Sequence, residues 1–216
     1  MKKIAKLLSI TIILAMVCTM TACNGSGGGS GTGNVTPSPS QIALRTVWED
    51  FLKSNNETEL YYLPSDYDGN GKEEAYGITG KGYEDGFANN VKIYFIDSSG
   101  KISCVKDKTY SGDSLFGELQ NQDKLSSDPE KVFLKAGNQK FIVWEIDGGG
   151  SASVSVVFGV RNGSSYQPNI SGKYQYFHCT SDNVYVGTTS DFSQGYHQYI
   201  DVTFSFNAST GEFEKK

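Results

Sequence analysis

From Thr58 to the C-terminus the chain is a succession of short runs in which apolar and polar residues alternate, rich in Val, Ile, Thr, Tyr and Phe. A period of two sends successive side chains to opposite faces, and β-branched and aromatic residues suit a pleated, half-buried surface. The expected strands are Glu59–Leu63, Glu74–Thr79, Val91–Asp97, Lys101–Lys106, Val132–Ala136, Lys140–Ile146, Ser153–Val160, Tyr174–Cys179, Asn183–Thr189 and Gln198–Phe206. Turn dipeptides separate most of them: Ser99-Gly100, Gly137-Asn138, Asn162-Gly163 and Thr210-Gly211. Only Asp113–Leu119 breaks the pattern and reads as a second short helix capped by Asp113.

One amphipathic helix precedes the strands. Ser38 is placed as its N-cap, Pro39 in its first turn, and Gln41 closes a capping box. Leu44, Val47, Trp48, Phe51 and Leu52 then form one apolar stripe that should cover a face of the sheet, and the helix should end near Ser54-Asn55-Asn56. The expected fold is therefore mainly β, an antiparallel meander or blade-like sheets with one N-terminal amphipathic helix, in a single domain over residues 41–216. Three stretches, aligned on Phe95, Phe158 and Phe204, share a scheme of strand, long strand, tight turn and short strand. Plain antiparallel meanders produce such a scheme without duplication, and three units are too few for the usual closed propeller.

The first residues give an address. Lys2, Lys3 and Lys6 form a positive segment, and Leu7–Val17 is apolar but too short to span a bilayer, as in a secretory signal. The segment closes on Met20-Thr21-Ala22-Cys23, which resembles the lipobox of bacterial lipoproteins, with Met20 where Leu is usual. That resemblance implies removal of residues 1–22, lipidation of Cys23 and anchoring at the extracellular face of the cell membrane, with a Gram-positive surface as the softer expectation. Residues 23–40 are then a lipidated cysteine and a flexible Gly/Ser/Pro tether.

The whole chain carries 19 basic and 24 acidic residues, net −5, and loss of the three lysines in residues 1–22 leaves a formal charge of −8. So acidic a domain gains nothing electrostatically from an anionic membrane, and the lipid must anchor it. Nucleic acid is not an expected partner, since no basic stripe is present to neutralise phosphates. Cys18 leaves with the signal, and Cys104 and Cys179 remain, either as one disulfide or as two thiols. No CxxC spacing marks a zinc or redox site.

One stretch carries recognisable chemistry. Residues 66–74, DYDGNGKEE, fit the pattern D-x-[DN]-x-[DN]-G-x-x-[DE]. Alternate residues of such a loop aim oxygens at one centre: side chains of Asp66, Asp68, Asn70 and Glu74, with a backbone carbonyl from Lys72, while Gly71 permits the sharp turn. Ca2+ takes six to eight such hard oxygens at about 2.3–2.6 Å. The loop resembles those of FG-GAP repeats in integrin-like propellers, and more loosely those of dockerins and EF-hands. An EF-hand would need Glu at the twelfth position, where this chain has Gly77. A metal-free hairpin turn is the plainer alternative, although it has no need of three carboxylates. Any ion here is expected to be structural.

Elsewhere the signals are weaker. His178 and His197 have no evident metal or base partners, and no G-x-S-x-G, H-E-x-x-H or phosphate loop occurs. Glu145 and Asp147 share a face at a strand end; paired carboxylates could serve glycoside hydrolysis, but a solvated strand end explains them as well. Tyr174, Tyr176, Tyr196 and Tyr199, with Phe177 nearby, cluster in the last third and could stack on a sugar or a protein. Tyr174 and Tyr176 should share one strand face and Phe177 the other. The favoured function is a lipid-anchored, calcium-stabilised cell-surface module binding a glycan or a surface protein. The alternatives are an extracellular hydrolase of polysaccharide or peptidoglycan, and a structural accessory subunit of an envelope complex.

Overall fold

The computed structural model describes residues 38–84, 86–106, 116–148 and 153–216. The signal segment, Cys23 and the tether as far as Pro37 lie outside the described residues. The described residues hold together as one unit.

The helix α1 runs Pro39–Asn55. Its capping box forms as expected: the Ser38 hydroxyl accepts from the Gln41 N–H, and the Gln41 side chain accepts from the Ser38 N–H. Asn56, left-handed at φ 51°, ends it. Because the helix begins at Pro39, the folded part starts slightly before residue 41.

Among the described residues thirteen strands follow: β1 (Glu59–Ser65), β2 (Glu74–Glu84), β3 (Phe87–Ile96), β4 (Ile102–Lys106), β5 (Phe116–Leu119), β6 (Leu134–Ala136), β7 (Gln139–Asp147), β8 (Val154–Arg161), β9 (Ser164–Tyr166), β10 (Gln175–Ser181), β11 (Val184–Asp191), β12 (Gln198–Asn207) and β13 (Glu212–Lys215). All ten expected strands are present, and among the described residues every pairing is antiparallel and no closed barrel forms. The helix expected over Asp113–Leu119 is corrected: Phe116–Leu119 is strand β5, paired with β7, and residues 113–115 lie outside the described residues. Tertiary pairing with the apolar β7 overrides a weak local helical signal.

The pairings build three four-stranded meanders, β1-β2-β3-β4, β6-β7-β8-β9 and β10-β11-β12-β13, with β5 joining the first two into a nine-stranded sheet. The three aligned phenylalanines take equivalent places, Phe95 opposite Tyr76, Phe158 opposite Ile142 and Phe204 opposite Tyr185. The meanders pack face to face. Tyr76, Ile78, Ile93 and Phe95 of the first share a core with Ile142, Trp144, Val156 and Phe158 of the second. The opposite face of the second, Phe141, Val143 and Val157, packs on Phe177, Tyr185, Phe204 and Phe213 of the third. On the outer face of the first, Leu44 and Trp48 of α1 cover Ala75, Tyr94 and Ile96.

Burial on both faces explains why β7 and β8 read as nearly continuous apolar runs. Gly77 leaves room for the Trp48 indole, since a Cβ there would lie 2.5 Å from it. Among the described residues no helix is long and apolar enough to cross a membrane.

Candidate metal centre

The loop 66–73 closes the β1–β2 hairpin, whose last paired residues are Ser65 and Glu74, so strands flank it on both sides. Tyr67 fixes it from within. Its ring is fully buried between Tyr76 and Phe133, its hydroxyl donates to the Leu63 carbonyl at 2.7 Å, and its own carbonyl accepts from the Lys140 N–H at 2.8 Å. With Tyr67 held inward, Asp66 and Asp68 stand on either side of it. The sequence pattern gave no role to this residue, because the ligand motif leaves its position open.

Two hairpin turns of the second meander support the loop. A Cβ on Gly69, whose φ is +72°, would lie 3.0 Å from the Asn138 carbonyl oxygen, so backbone approaches backbone there. Asp68 Oδ2 accepts from the Gly163 N–H at 3.3 Å, in the turn between β8 and β9. Within the loop, Asp66 accepts from the N–H groups of Asn70 and Gly71 at 3.1 and 3.0 Å. Asn70 Oδ1 accepts from the Lys72 N–H at 2.8 Å. Gly71 has φ +81°, the turn its place in the motif requires.

One ligand oxygen each from Asp66, Asp68 and Glu74 lies within 4.8 Å of the others. Oxygens across a Ca2+ ion are separated by up to twice a bond of about 2.3–2.6 Å, so the three fit one shell. Glu73 faces the other way, where the Ser38 and Ser40 hydroxyls at the start of α1 donate to it.

Glu74 is the unusual member. The residue is 1% exposed; one carboxylate oxygen takes a long bond from the Tyr67 N–H at 3.4 Å, and the other, Oε1, is buried without a hydrogen-bond partner. Burial pushes its carboxyl up to about 7, the Tyr67 N–H opposes that rise, and the charges of Asp68, Asp66 and Asp97 add to it. A cation at the centre of the triad would reverse this balance, pairing the orphaned oxygen and neutralising all three charges.

The structure disperses the other sequence-predicted residues. Cys104 lies on β4 and Cys179 on β10, both exposed; the disulfide between them is not formed, and the Cys179 thiol donates to the Ser181 carbonyl. Tyr174 is a core-facing residue, its ring 5.0 Å from that of Phe204, and so is withdrawn from the aromatic face. Tyr176, Tyr196 and Tyr199 are exposed. The simple alternation expected for Tyr174, Tyr176 and Phe177 fails because β10 is irregular between Gln175 and His178, and Tyr176 adopts φ +51°.

Phe192, which sequence reasoning missed, is 59% exposed and stacks on His197 at 4.3 Å, and the Tyr199 ring is tilted against the same imidazole at 4.6 Å. These rings sit on the end of the β11–β12 ribbon. Comparison with protein-family models, with curated proteins and with solved structures finds no match to this chain.

Proposed function

We propose that the protein is a lipid-anchored cell-surface binding module, stabilised by one Ca2+ in the loop 66–74, whose ligand is a glycan or a surface protein. The observation that carries the metal is the orphaned Glu74 Oε1, buried beside two further carboxylates. A plain hairpin turn does not account for it, because burying an unpaired carboxylate is costly unless a cation repays it. The lipobox resemblance around Cys23 supports the anchor, and the exposed rings of Phe192, Tyr196 and Tyr199 support a binding role. The Ca2+ acts as a clamp: it ties the first hairpin to the turns of the second meander that already support the loop.

The test is a thermal melt of residues 24–216 in EDTA and in about 10 mM Ca2+, with Asp68→Ala alongside. For a site of about 0.1 mM affinity, mass action gives about 2.7 kcal/mol of stabilisation. At about 2–4 °C per kcal/mol for a domain of this size, the midpoint rises by about 5–11 °C. The rise vanishes in Asp68→Ala. A midpoint indifferent to Ca2+ in the unsubstituted protein overturns the metal assignment.

A further inference from the structure

A recess of about 330 Å3 opens between β5, β7 and the start of β10, lined among others by Phe87, Glu118, Gln120, Glu145, Asp147 and Tyr176. Strand register builds its floor. Glu118 pairs with Glu145 and Glu145 with Ser155, a row across β5, β7 and β8 on the face opposite Trp144 and Ile146. Side chains so placed on neighbouring strands have Cβ atoms about 4.5–5.5 Å apart.

The row is held firmly. The Ser155 hydroxyl donates to Glu145 at 2.8–2.9 Å and accepts from the Phe177 N–H at 2.8 Å. Gln120 Nε2 donates both to Glu145 Oε1 at 3.1 Å and to the Phe177 carbonyl at 3.0 Å. The Ser153 hydroxyl donates to Asp147 at 2.9 Å. Glu145 is thus not the solvated strand end that sequence allowed.

Tyr176 stands at the mouth, 60% exposed. Among the described residues, every other non-glycine with positive φ is an asparagine. A bulky side chain in that region costs about 1–2 kcal/mol and persists only where its surroundings impose it. Here Gln175 and Phe177 on either side are both buried, while Tyr176 between them is exposed and lines the recess.

The lining selects among ligand classes. Among the described residues, no lysine or arginine lines it, which disfavours phosphates and carboxylates. Among the described residues, the His, Cys, Asp and Glu side chains that converge in a group of three close enough for a metal ion are Asp66, Asp68 and Glu74, which lie outside the recess. Burial pushes the Glu145 carboxyl up to about 7, with the Glu118 charge adding to the rise, and burial raises Glu118 too. A carboxyl that both donates and accepts, beside amides and a free ring face, suits alcohol groups and the C–H face of a pyranose.

We propose that this recess binds a saccharide, with Tyr176 stacking on a sugar ring and Glu145, Glu118 and Gln120 pairing with its hydroxyls. The assignment deepens the binding-module reading and rests on it, but not on Ca2+. The ligand extends beyond one ring. Gln175 pairs with Thr188, and three residues further along β11, about 10 Å, the aromatic end of the β11–β12 ribbon begins.

Titration calorimetry of the full chain, in a detergent without a sugar headgroup, tests this with cello-, xylo-, manno-, malto- and chitohexaose, and with agmatine as an organic cation. At least one hexasaccharide binds, and Tyr176→Gly and Glu145→Gln each weaken it about tenfold or more. Glycine is at ease at φ +51°, so Tyr176→Gly melts no lower than the unsubstituted protein and its lost binding is not lost folding. Silence from all five sugars, a sugar bound equally by both variants, or binding of agmatine alone overturns the proposal. If the sugars fail while the Ca2+-dependent rise in midpoint persists, only the recess assignment falls; if they bind without that rise, only the metal assignment does.

Discussion

Replacing Glu145 by glutamine isolates a single buried proton. The carboxyl titrates at about 7 in the folded chain against a usual value of 4.5, raised first by burial. The charges that face it are Glu118, which raises it, and His178, which lowers it; the Ser155 hydroxyl and the Tyr176 N–H also favour the ionised form. The native state therefore holds this proton more tightly than the unfolded chain. Its contribution to stability is fully present below about pH 4.5 and is lost as pH rises through 7. At about 1.4 kcal/mol per pH unit between those values, the loss is roughly 3 kcal/mol. The amide of the Glu145→Gln protein keeps the shape and cannot titrate. Urea denaturation in EDTA at about pH 4.5, 6, 7 and 8.5, for both proteins, gives the difference in stability at each pH, and groups common to both, Glu74 among them, cancel. The substituted protein should gain on the original by roughly 3 kcal/mol between the lowest and highest pH, most of it between about pH 5 and 7.5. A difference that stays constant with pH would refute the reasoning and return Glu145 to a solvated, ordinary carboxylate.

Gly77→Ala should cost about 1–3 kcal/mol, because its methyl would lie 2.5 Å from the Trp48 indole, and the cost should vanish in a Trp48→Leu background; equal costs in both, measured by urea denaturation, would contradict the packing. Glu74→Gln should raise the melting midpoint in EDTA above that of the unsubstituted protein at about pH 8, by relieving an unpaired buried charge, while abolishing the response to Ca2+. Ser38→Ala removes the N-cap and the hydroxyl that reaches Glu73, and should cost about 1–2 kcal/mol by thermal denaturation.

Most strands were legible because their alternation reports one buried face; β7 and β8, buried on both sides, showed instead as nearly continuous apolar runs. The three missed strands are short or polar: β9 is Ser-Ser-Tyr, β13 is Glu-Phe-Glu-Lys, and β5 is a four-residue piece defined by its pairing with β7. Local composition says little about an element whose partner lies far away in the chain. The acidic loop could be read because its ligands are contiguous in sequence. The recess could not: Glu118 meets Glu145 only through strand register, Tyr176 joins them from the other sheet, and Glu118 fell in a segment expected to be helical. The hidden irregularity in β10 had the same effect on the tyrosines, since a period of two cannot foresee the residue at which the period breaks.

The helix α1 is where the stack of meanders stops. Beneath it lie Ala75, Gly77, Tyr94 and Ile96, the kind of flat apolar surface that each meander elsewhere offers to its neighbour. A fragment beginning at Glu59 would keep every strand and lose that seal. Two such fragments would find in each other the cover they lack, and would dimerise through the bared faces. The stretch from Ser38 to Asn56 thus closes the last apolar face of the stack, and a chain shortened into it should associate, which its sedimentation velocity would reveal.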